Sequence, residues 1–528
     1  MGKIVKCLNQ LTVGNIFDSP EVLDAHATDC SALTIRPKFV AVPESTSDVQ
    51  RIMRFCHQLA VKNLKIPVTI RGSGLREGGA ALGNGLVISM SKMSRLLEAD
   101  QHERLVRVEA GITLKELNTA LSMYGLTIPI SGFENDTIGG LISSFVVDEL
   151  SGKYGGIQKY VEKIEAVLTN GEVIQTERLR PHKYNRIVSA NTVESKIYQK
   201  ISQIYNSNRA IVNNISQEKH NLAGYPGIAG VFSGGTIDLA PLFLGSEGTL
   251  GVITEVILKA IPIKFKSGRA VAAFEDFEMA NNFLKKLVSL NPRKLNLYDA
   301  RIIRIAADTG KRLSPIMEKI ENGYVVYACF DEKIKLRLKE VGIAFESLGK
   351  RGQLFIDSDK NKVLLDEFEN SLISFLNQTR NGERVPILTD FYIPPDNLGG
   401  FISDLKVLER NLGMKLAPYG SYATSNYNLR PKLDVTEPDF NKKVTALLRA
   451  GDFVIRRRGG NLAGGTSEGR LKALITNNLM DENRKKIYLQ IKTTFDDLEI
   501  LNPNVKLGAT PNVNLRHFRT TNSAKVVL

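Results

Sequence analysis

Three glycine-rich stretches, each beside a β-branched run, constrain this chain more than any other feature. The first is Ile66-Pro67-Val68-Thr69-Ile70-Arg71-Gly72-Ser73-Gly74-Leu75-Arg76-Glu77-Gly78-Gly79. A strand runs into a loop whose glycines permit positive φ. Successive backbone N–H groups can then face one concavity and approach a phosphate without side-chain clash. No Gly-Lys-Ser/Thr follows, so this is not a Walker loop. The spacing is Gly-x-Gly-x-x-x-Gly, and a strand follows where a helix should begin, so it is not a good Rossmann fingerprint. Taken alone, the loop reads either as an anion nest or as a tight structural turn.

The second stretch is Asp136-Thr137-Ile138-Gly139-Gly140-Leu141-Ile142-Ser143-Ser144, followed by Ser151-Gly152-Lys153-Tyr154-Gly155. Adjacent glycines between apolar residues let a backbone lie against something flat, or against another backbone. The Thr and Ser hydroxyls can donate to carbonyl or phosphate oxygens. The third is Leu244-Gly245-Ser246-Glu247-Gly248-Thr249-Leu250-Gly251-Val252-Ile253-Thr254-Glu255, with glycines and hydroxyls just before a strand.

Between these loops, residues 37 to 180 alternate short strands and short helices. Phe39 to Val42 is an apolar run ended by Pro43. Ser47, with Gln50 three residues on, predicts a capped helix whose apolar face is Val49, Ile52, Met53, Cys56, Leu59 and Ala60. Thr113 and Glu116 cap the next helix, and Gly125 ends it. Ile164 to Leu168, Asn170-Gly171 and Val173 to Thr176 predict a hairpin in which both turn residues take positive φ. Residues 181 to 235 read as helical, then loop-like. From 268 to 435, strand-like and helix-like runs mix as in an α+β domain. From about 438 the chain is mostly helical and closes with a polar tail.

The 528 residues suggest roughly three folding units. A composition of 43% hydrophobic and 24% charged residues excludes collagen-like, disordered and membrane-embedded classes. The formal charge of +14 is spread along the chain, with its densest run at Arg456-Arg457-Arg458. It reads as a soluble surface, or as attraction to a nucleic acid, an anionic membrane or an acidic substrate. Cys7, Cys30, Cys56 and Cys329 show no paired spacing, which predicts no disulfide framework and no zinc site. No run approaches 18 apolar residues, so no integral membrane segment is expected. The expectation is a cytoplasmic protein, with a peripheral membrane contact left open.

The order and spacing of the loops, with their flanking strands and the hairpin, resemble the FAD-binding domain of the vanillyl-alcohol-oxidase type. That type is also called the p-cresol-methylhydroxylase (PCMH) type. The chain is most similar to its glycolate oxidase, D-lactate dehydrogenase and D-2-hydroxyglutarate dehydrogenase branch. Resembling segments run from about His26 to Glu255 and continue more weakly at Asp390 to Pro394 and Leu501-Asn502-Pro503. The resemblance implies an α+β fold. Residues 1–36 would be an N-terminal segment, and 37–262 a two-part PCMH-type FAD-binding domain. An α+β cap at 268–435 would hold substrate over the flavin, and helical residues 436–528 would close the site.

By the same resemblance, Arg71, Gly72, Ser73, Gly74, Leu75 and Gly78 wrap the FAD pyrophosphate. Thr137, Gly139, Gly140, Ser144, Gly152, Tyr154 and Gly155 line the ribityl chain and flavin. Gly248 and Ile253 complete the adenine and ribityl side. Many members of the wider family attach FAD through a histidine in the first loop. Here Leu75 sits nearby and no histidine lies between His57 and His102, so FAD is expected to be non-covalent.

Two motifs of the hydroxyacid branch are altered. Its Gly-His-x-Gly-Asp-Gly-Asn-x-His stretch corresponds to Gly420-Ser421-Tyr422-Ala423-Thr424-Ser425-Asn426-Tyr427-Asn428, with Ser421 and Asn428 where imidazoles would stand. Serine and asparagine are poor ligands for divalent transition metals. In the second motif, Gly465 and Thr466 replace its Glu-His pair. No metal is expected. Oxidising a 2-hydroxy acid needs a base for the hydroxyl proton and a cation for the carboxylate. Tyr422 or Tyr427 is a substitute base, and Arg456, Arg457, Arg458 or Lys472 a substitute anion anchor. Glu468 is a displaced carboxylate, and His182 and His220 lie in or near the inter-domain segment.

The expected function is an FAD-dependent oxidoreductase acting on a small molecule, with a 2-hydroxy acid one option and an electron acceptor of unknown identity. A catalytically degenerate flavin-binding protein is the alternative. A polyanion binder is more remote, since the chain carries no nucleic-acid motif.

Overall fold

The computed structural model describes residues 2–307, 323–349, 351–378, 386–431, 433, 437–509 and 517–519. Part of the polar tail expected at the C-terminus lies outside the described residues.

The first sheet orders its strands as Asn15–Phe17, Phe39–Val42, Leu86–Ser89 and Val68–Arg71. The last three run parallel. The helix that crosses over between them, Thr46–Val61, buries Val49, Ile52, Met53, Cys56 and Ala60. Its cap is Ser45, two residues before the expected Ser47; the Ser45 hydroxyl accepts from the Asp48 amide. Asp48 explains the shift. Its buried carboxylate accepts from the Val13, Gly14 and Glu44 amides at 2.9, 3.1 and 3.1 Å, which ties the helix start to the preceding chain.

A second, antiparallel sheet runs Leu96–Asp100, Leu105–Glu109, Val252–Lys259, Val161–Val167, Val173–Gln175. Helix Leu114–Ser122 carries the reciprocal Thr113–Glu116 cap that the sequence predicts. The predicted hairpin forms, but only Gly171 of the Asn-Gly pair takes positive φ, at 79°. The loop is longer than two residues: Leu168 accepts from the Gly171 amide and donates to the Glu172 carbonyl. That geometry needs a single left-handed residue, and the Asn170 side chain is left to accept from the Glu172 amide at 3.0 Å.

Beyond Pro262 lies one seven-stranded antiparallel sheet. Its order is Gln353–Ile356, Gly268–Phe274, Tyr324–Phe330, Lys294–Asp299, Leu416–Ser421, Asn426–Pro431, Leu388–Tyr392. Period-two alternation sorts its faces. Leu295, Leu297, Tyr427 and Leu429 enter a large apolar core with helices Phe277–Val288, Leu398–Leu412 and Phe440–Arg457. Asn296, Tyr298, Asn426 and Asn428 face the other way, toward Val147–Glu149.

The C-terminal part returns to the first sheets. Helix Glu482–Phe495 packs on Val193–Ser207. Val68 donates to the Ile500 carbonyl and accepts from the Asn502 amide, both at 2.7 Å. No helix among the described residues is long and apolar enough to cross a membrane.

Candidate active site

Two clefts meet at one short segment. The first lies between the two small sheets. Ile70, Gly72, Ser73, Gly74, Leu75 and Arg76 line it from the first loop. Asp136, Thr137, Gly139, Gly140, Ser143 and Ser144 come from the second, and Glu247, Gly248, Gly251 and Ile253 from the third. Loops far apart in the chain therefore converge on one slot.

Local chemistry holds these loops. Thr137 caps the short helix Ile138–Ser143, its hydroxyl accepting from the Gly140 amide at 3.2 Å. Arg76 pairs with Asp136, which joins the first loop to the second. Gly72 must be glycine for a steric reason: a Cβ there would lie 2.2 Å from Thr137 Oγ1.

The remaining candidates lie outside this lining. Arg71 donates to the Thr28 carbonyl at 2.9 Å, and Gly78 abuts Gly469 of the C-terminal part. Gly152 packs against Ala423 of the large sheet, and Tyr154 and Lys153 bond to Asp331. Gly155 closes that short helix with φ 84°. The 151–155 segment thus docks the seven-stranded sheet onto the smaller sheets.

The second cleft lies between the seven-stranded sheet and Val147–Glu149. Asn296, Tyr298, Asp390, Tyr419, Ser421, Thr424, Asn426 and Asn428 supply its polar lining. Ser144 lines the first cleft and Val147 the second, so three residues of chain, at most about 11 Å, span both. The C-terminal stretch stitches the same place: the Ser467 amide donates to the Ser144 carbonyl, and the Val147 amide to the Gly465 carbonyl, at 2.9 and 2.7 Å.

Asp390 is a lining residue that the sequence reading did not single out. It sits at a bulge between Leu388 and Phe391 with φ 53°, a left-handed conformation that a non-glycine residue adopts at a cost. Its amide donates to Asn428 Oδ1 at 2.9 Å, its carbonyl accepts from the Gly464 and Gly465 amides, and its carboxylate accepts from Thr466 Oγ1 at 3.0 Å. The bulge re-aims the side chain into the cleft. The only sequence signal was the Asp390–Pro394 resemblance.

The substitute groups raised from sequence take other places. Tyr422 and Tyr427 are buried in the apolar core of the cap, where burial raises both phenol pKa values. Arg456 pairs with Asp452, and Arg458 grips Asp404 with two bonds of 2.7 and 2.9 Å at a helix end. Glu468 points away from the second cleft, to Lys506 Nζ at 2.8 Å and the Gly224 amide at 2.7 Å. His182 and His220 are exposed, and His220 stacks on Tyr392. No histidine lines either cleft, and among the described residues no group of three His, Cys, Asp or Glu is placed to hold a metal.

Lys472 is different. Its ammonium is buried with no hydrogen-bond partner. Burial lowers its pKa, and the carboxylates of Asp390, Glu247, Glu77 and Glu468 oppose that shift. Asp390 belongs to the second cleft and Glu247 to the first, so the cation sits in the field of both. Ser246 Oγ, beside Glu247, is also buried without a partner. A slot lined by glycine-rich loops from three parts of the chain presents the backbone groups that an anionic cofactor needs.

Two family profiles match this chain, the FAD binding domain over residues 37–177 and the C-terminal domain of FAD linked oxidases over 266–505. The chain belongs to the FAD-linked oxidase family. Its FAD-linked relatives include the D-2-hydroxyglutarate dehydrogenase of Pantoea ananatis, 26% identical over 500 residues that cover 90% of this chain and 48% of that one. The Escherichia coli protein of the same name is 25% identical over 507 residues, 90% of this chain and 49% of the other. The chain therefore spans about half the length of those relatives. The D-lactate dehydrogenase of Archaeoglobus fulgidus is 25% identical over 493 residues, 91% of this chain and 95% of the other.

Solved structures share the fold. p-Cresol methylhydroxylase with substrate bound superposes with a TM-score of 0.70 at 14% identity, over 97% of this chain and 98% of that one. An alkyldihydroxyacetonephosphate synthase gives 0.62 at 16% identity, over 95% and 84%. The α+β, PCMH-type architecture expected from the sequence is the observed one, and FAD is the cofactor of this family.

Proposed function

We propose that this protein is an FAD-dependent oxidoreductase that oxidises a small alcohol in the second cleft. The observation that supports the reading is the three-residue step from Ser144 to Val147, which joins the loop-lined slot to a polar cleft. When bound, FAD supplies the two-electron acceptor for a hydride leaving a carbinol carbon.

The protein's own groups do the rest. Amides of residues 72–76, with the Thr137–Ser144 segment and Gly248, hold the cofactor without a covalent link. Arg71, Gly78, Gly152, Tyr154 and Gly155 shape the walls from behind. Lys472, buried between the clefts, balances the carboxylates of Asp390 and Glu247 that face them. Asp390 accepts the substrate hydroxyl proton, taking the place of the histidine the lining lacks, and Thr466 orients its carboxylate. The cap sheet excludes water from the reacting carbon. A 2-hydroxy acid is the substrate class suggested by the names of the relatives.

The test is direct. Purified protein should be yellow, release its flavin on acid precipitation, and bleach anaerobically with a substrate from an alcohol and hydroxy-acid panel. A protein that takes up no FAD on reconstitution would sink the proposal. Uptake without bleaching by any panel member would favour the degenerate flavin-binding protein instead, a reading that the histidine-free lining keeps in view.

A further inference from the structure

The second cleft is lined by side-chain oxygens that have nothing to bond to. Asn296 Oδ1, Ser421 Oγ, Thr424 Oγ1 and Asn426 Oδ1 all lack a hydrogen-bond partner. Their residues are 4, 7, 7 and 6% exposed, and all four line the same cavity. Buried polar atoms are normally satisfied, so four unsatisfied ones on one wall mark a place where a ligand or ordered water belongs. They sit on three neighbouring parts of the cap sheet: strand Lys294–Asp299, the end of Leu416–Ser421, and the turn into Asn426–Pro431.

The charges around them disfavour an anion. Among the described residues the lining contains three carboxylates, Asp148, Glu149 and Asp390, and no arginine or lysine. Lys294, on the same strand as Asn296, is paired with Glu149 at 2.5 Å. Lys472 lies outside the lining. With Arg430 and Lys506 it is set against Glu77, Glu247, Glu468 and Asp390, so these cations leave no surplus positive charge for a substrate carboxylate.

A cation is no better served. The Asp148 carboxylate is held by the Ser131, Leu150 and Ser151 amides. Glu149 is held by Lys294, Ser131 and the Asn296 amide group. Asp390 accepts from Thr466. The uncommitted atoms are amide oxygens and hydroxyls, spaced over several strands. That set pairs with a ligand bearing several hydroxyl groups: each hydroxyl donates to an amide oxygen, and each serine or threonine hydroxyl can donate or accept in turn.

We propose that the second cleft recognises a neutral, multiply hydroxylated substrate, a polyol or sugar, in preference to a 2-hydroxy acid. This deepens the proposed function and rests on its assignment of the second cleft to the substrate. It also accounts for Ser421 and Asn428 standing where the hydroxyacid branch has metal-binding imidazoles. A hydroxyl-rich ligand needs hydrogen-bond partners at those points, where a carboxylate needs a cation.

Calorimetric titration of the FAD-reconstituted protein at pH 7 tests it with sorbitol, xylitol and glucose against D-lactate, D-2-hydroxyglutarate and ethanolamine. At least one neutral probe should bind tenfold or more tightly than either acid or the amine. Asn426→Leu and, separately, Ser421→Ala should weaken that probe about tenfold while FAD uptake stays unchanged. Tighter binding of an acid or of ethanolamine, or no binding by any neutral probe, would overturn the proposal. FAD uptake is read independently. A yellow protein that prefers an acid keeps the flavin reading and loses this one. A colourless protein that still binds a polyol does the reverse.

Discussion

Thr466 donates its hydroxyl to the Asp390 carboxylate at 3.0 Å, linking the C-terminal return of the chain to a left-handed bulge in the cap sheet. Asp390 lines the second cleft, and its carbonyl accepts from the Gly464 and Gly465 amides. A strained residue held by this many bonds is pre-organised, which is the usual setting for a group that handles a proton.

Asp390→Asn is therefore informative. Asparagine tolerates positive φ as well as aspartate does, so the bulge should survive. Removing the proton acceptor should lower kcat by about 10²-fold or more. FAD uptake, followed by absorbance, should stay at the parent level. An unchanged kcat would remove Asp390 from the proposed chemistry.

Gly72→Ala should act on the first cleft alone. The added methyl would press on Thr137 Oγ1, which caps the helix that lines the first cleft. The two loops must separate by the order of an ångström. FAD affinity, measured by fluorescence quenching, should fall by at least about tenfold, equivalent to about 1.4 kcal/mol.

Glu247 should make stability and FAD binding depend on pH. Burial pushes its carboxyl up to about 7; Lys506 opposes the shift and Glu468 adds to it. The unfolded chain gives up this proton near the ordinary value of 4.5, whereas the folded chain keeps it to about 7. The contribution to stability is thus full below pH 4.5 and is lost as pH rises through about 7. Glu247 also lines the first cleft, so its ionisation should weaken binding of the anionic pyrophosphate above pH 7. Glu247→Gln should flatten both dependences, checked by urea unfolding at pH 5, 6 and 7 and by FAD titration from pH 6 to 8.

Lys506→Met tests the buried cluster on which that shift depends. Lys506 Nζ lies 2.8 Å from Glu468 and 3.5 Å from Glu247, and all three side chains are almost wholly buried. Losing the cation leaves two carboxylates facing each other without compensation. Unfolding stability should drop by about 3–5 kcal/mol at pH 7. Because low pH protonates Glu247, the loss should be smaller at pH 5.

Some of this was readable residue by residue. The Thr113–Glu116 cap and the apolar face of Thr46–Val61 depend on neighbours within four positions, and both formed where the pattern put them. The cap at Ser45 was misread as Ser47 because the deciding partners of Asp48, the Val13 and Gly14 amides, are about 35 residues away. Asp390 escaped for the same reason: its conformation is imposed by Asn428, Gly464 and Thr466, and its own flanking residues read as an ordinary strand.

The order of the glycine loops and their strand flanks thus sufficed to point to an FAD-binding family, since backbone freedom and close approach are local properties of residues such as Gly72 and Gly248. Only the folded arrangement sorted the docking segment Gly152–Gly155 from the slot itself, withdrew Tyr422 and Tyr427 into the core, and lined one cleft with Asn296, Ser421, Thr424 and Asn426. Those outcomes follow from which face of a seven-stranded sheet meets Val147–Glu149, and long-range strand pairing is set by burial across the whole domain rather than by any short run of residues.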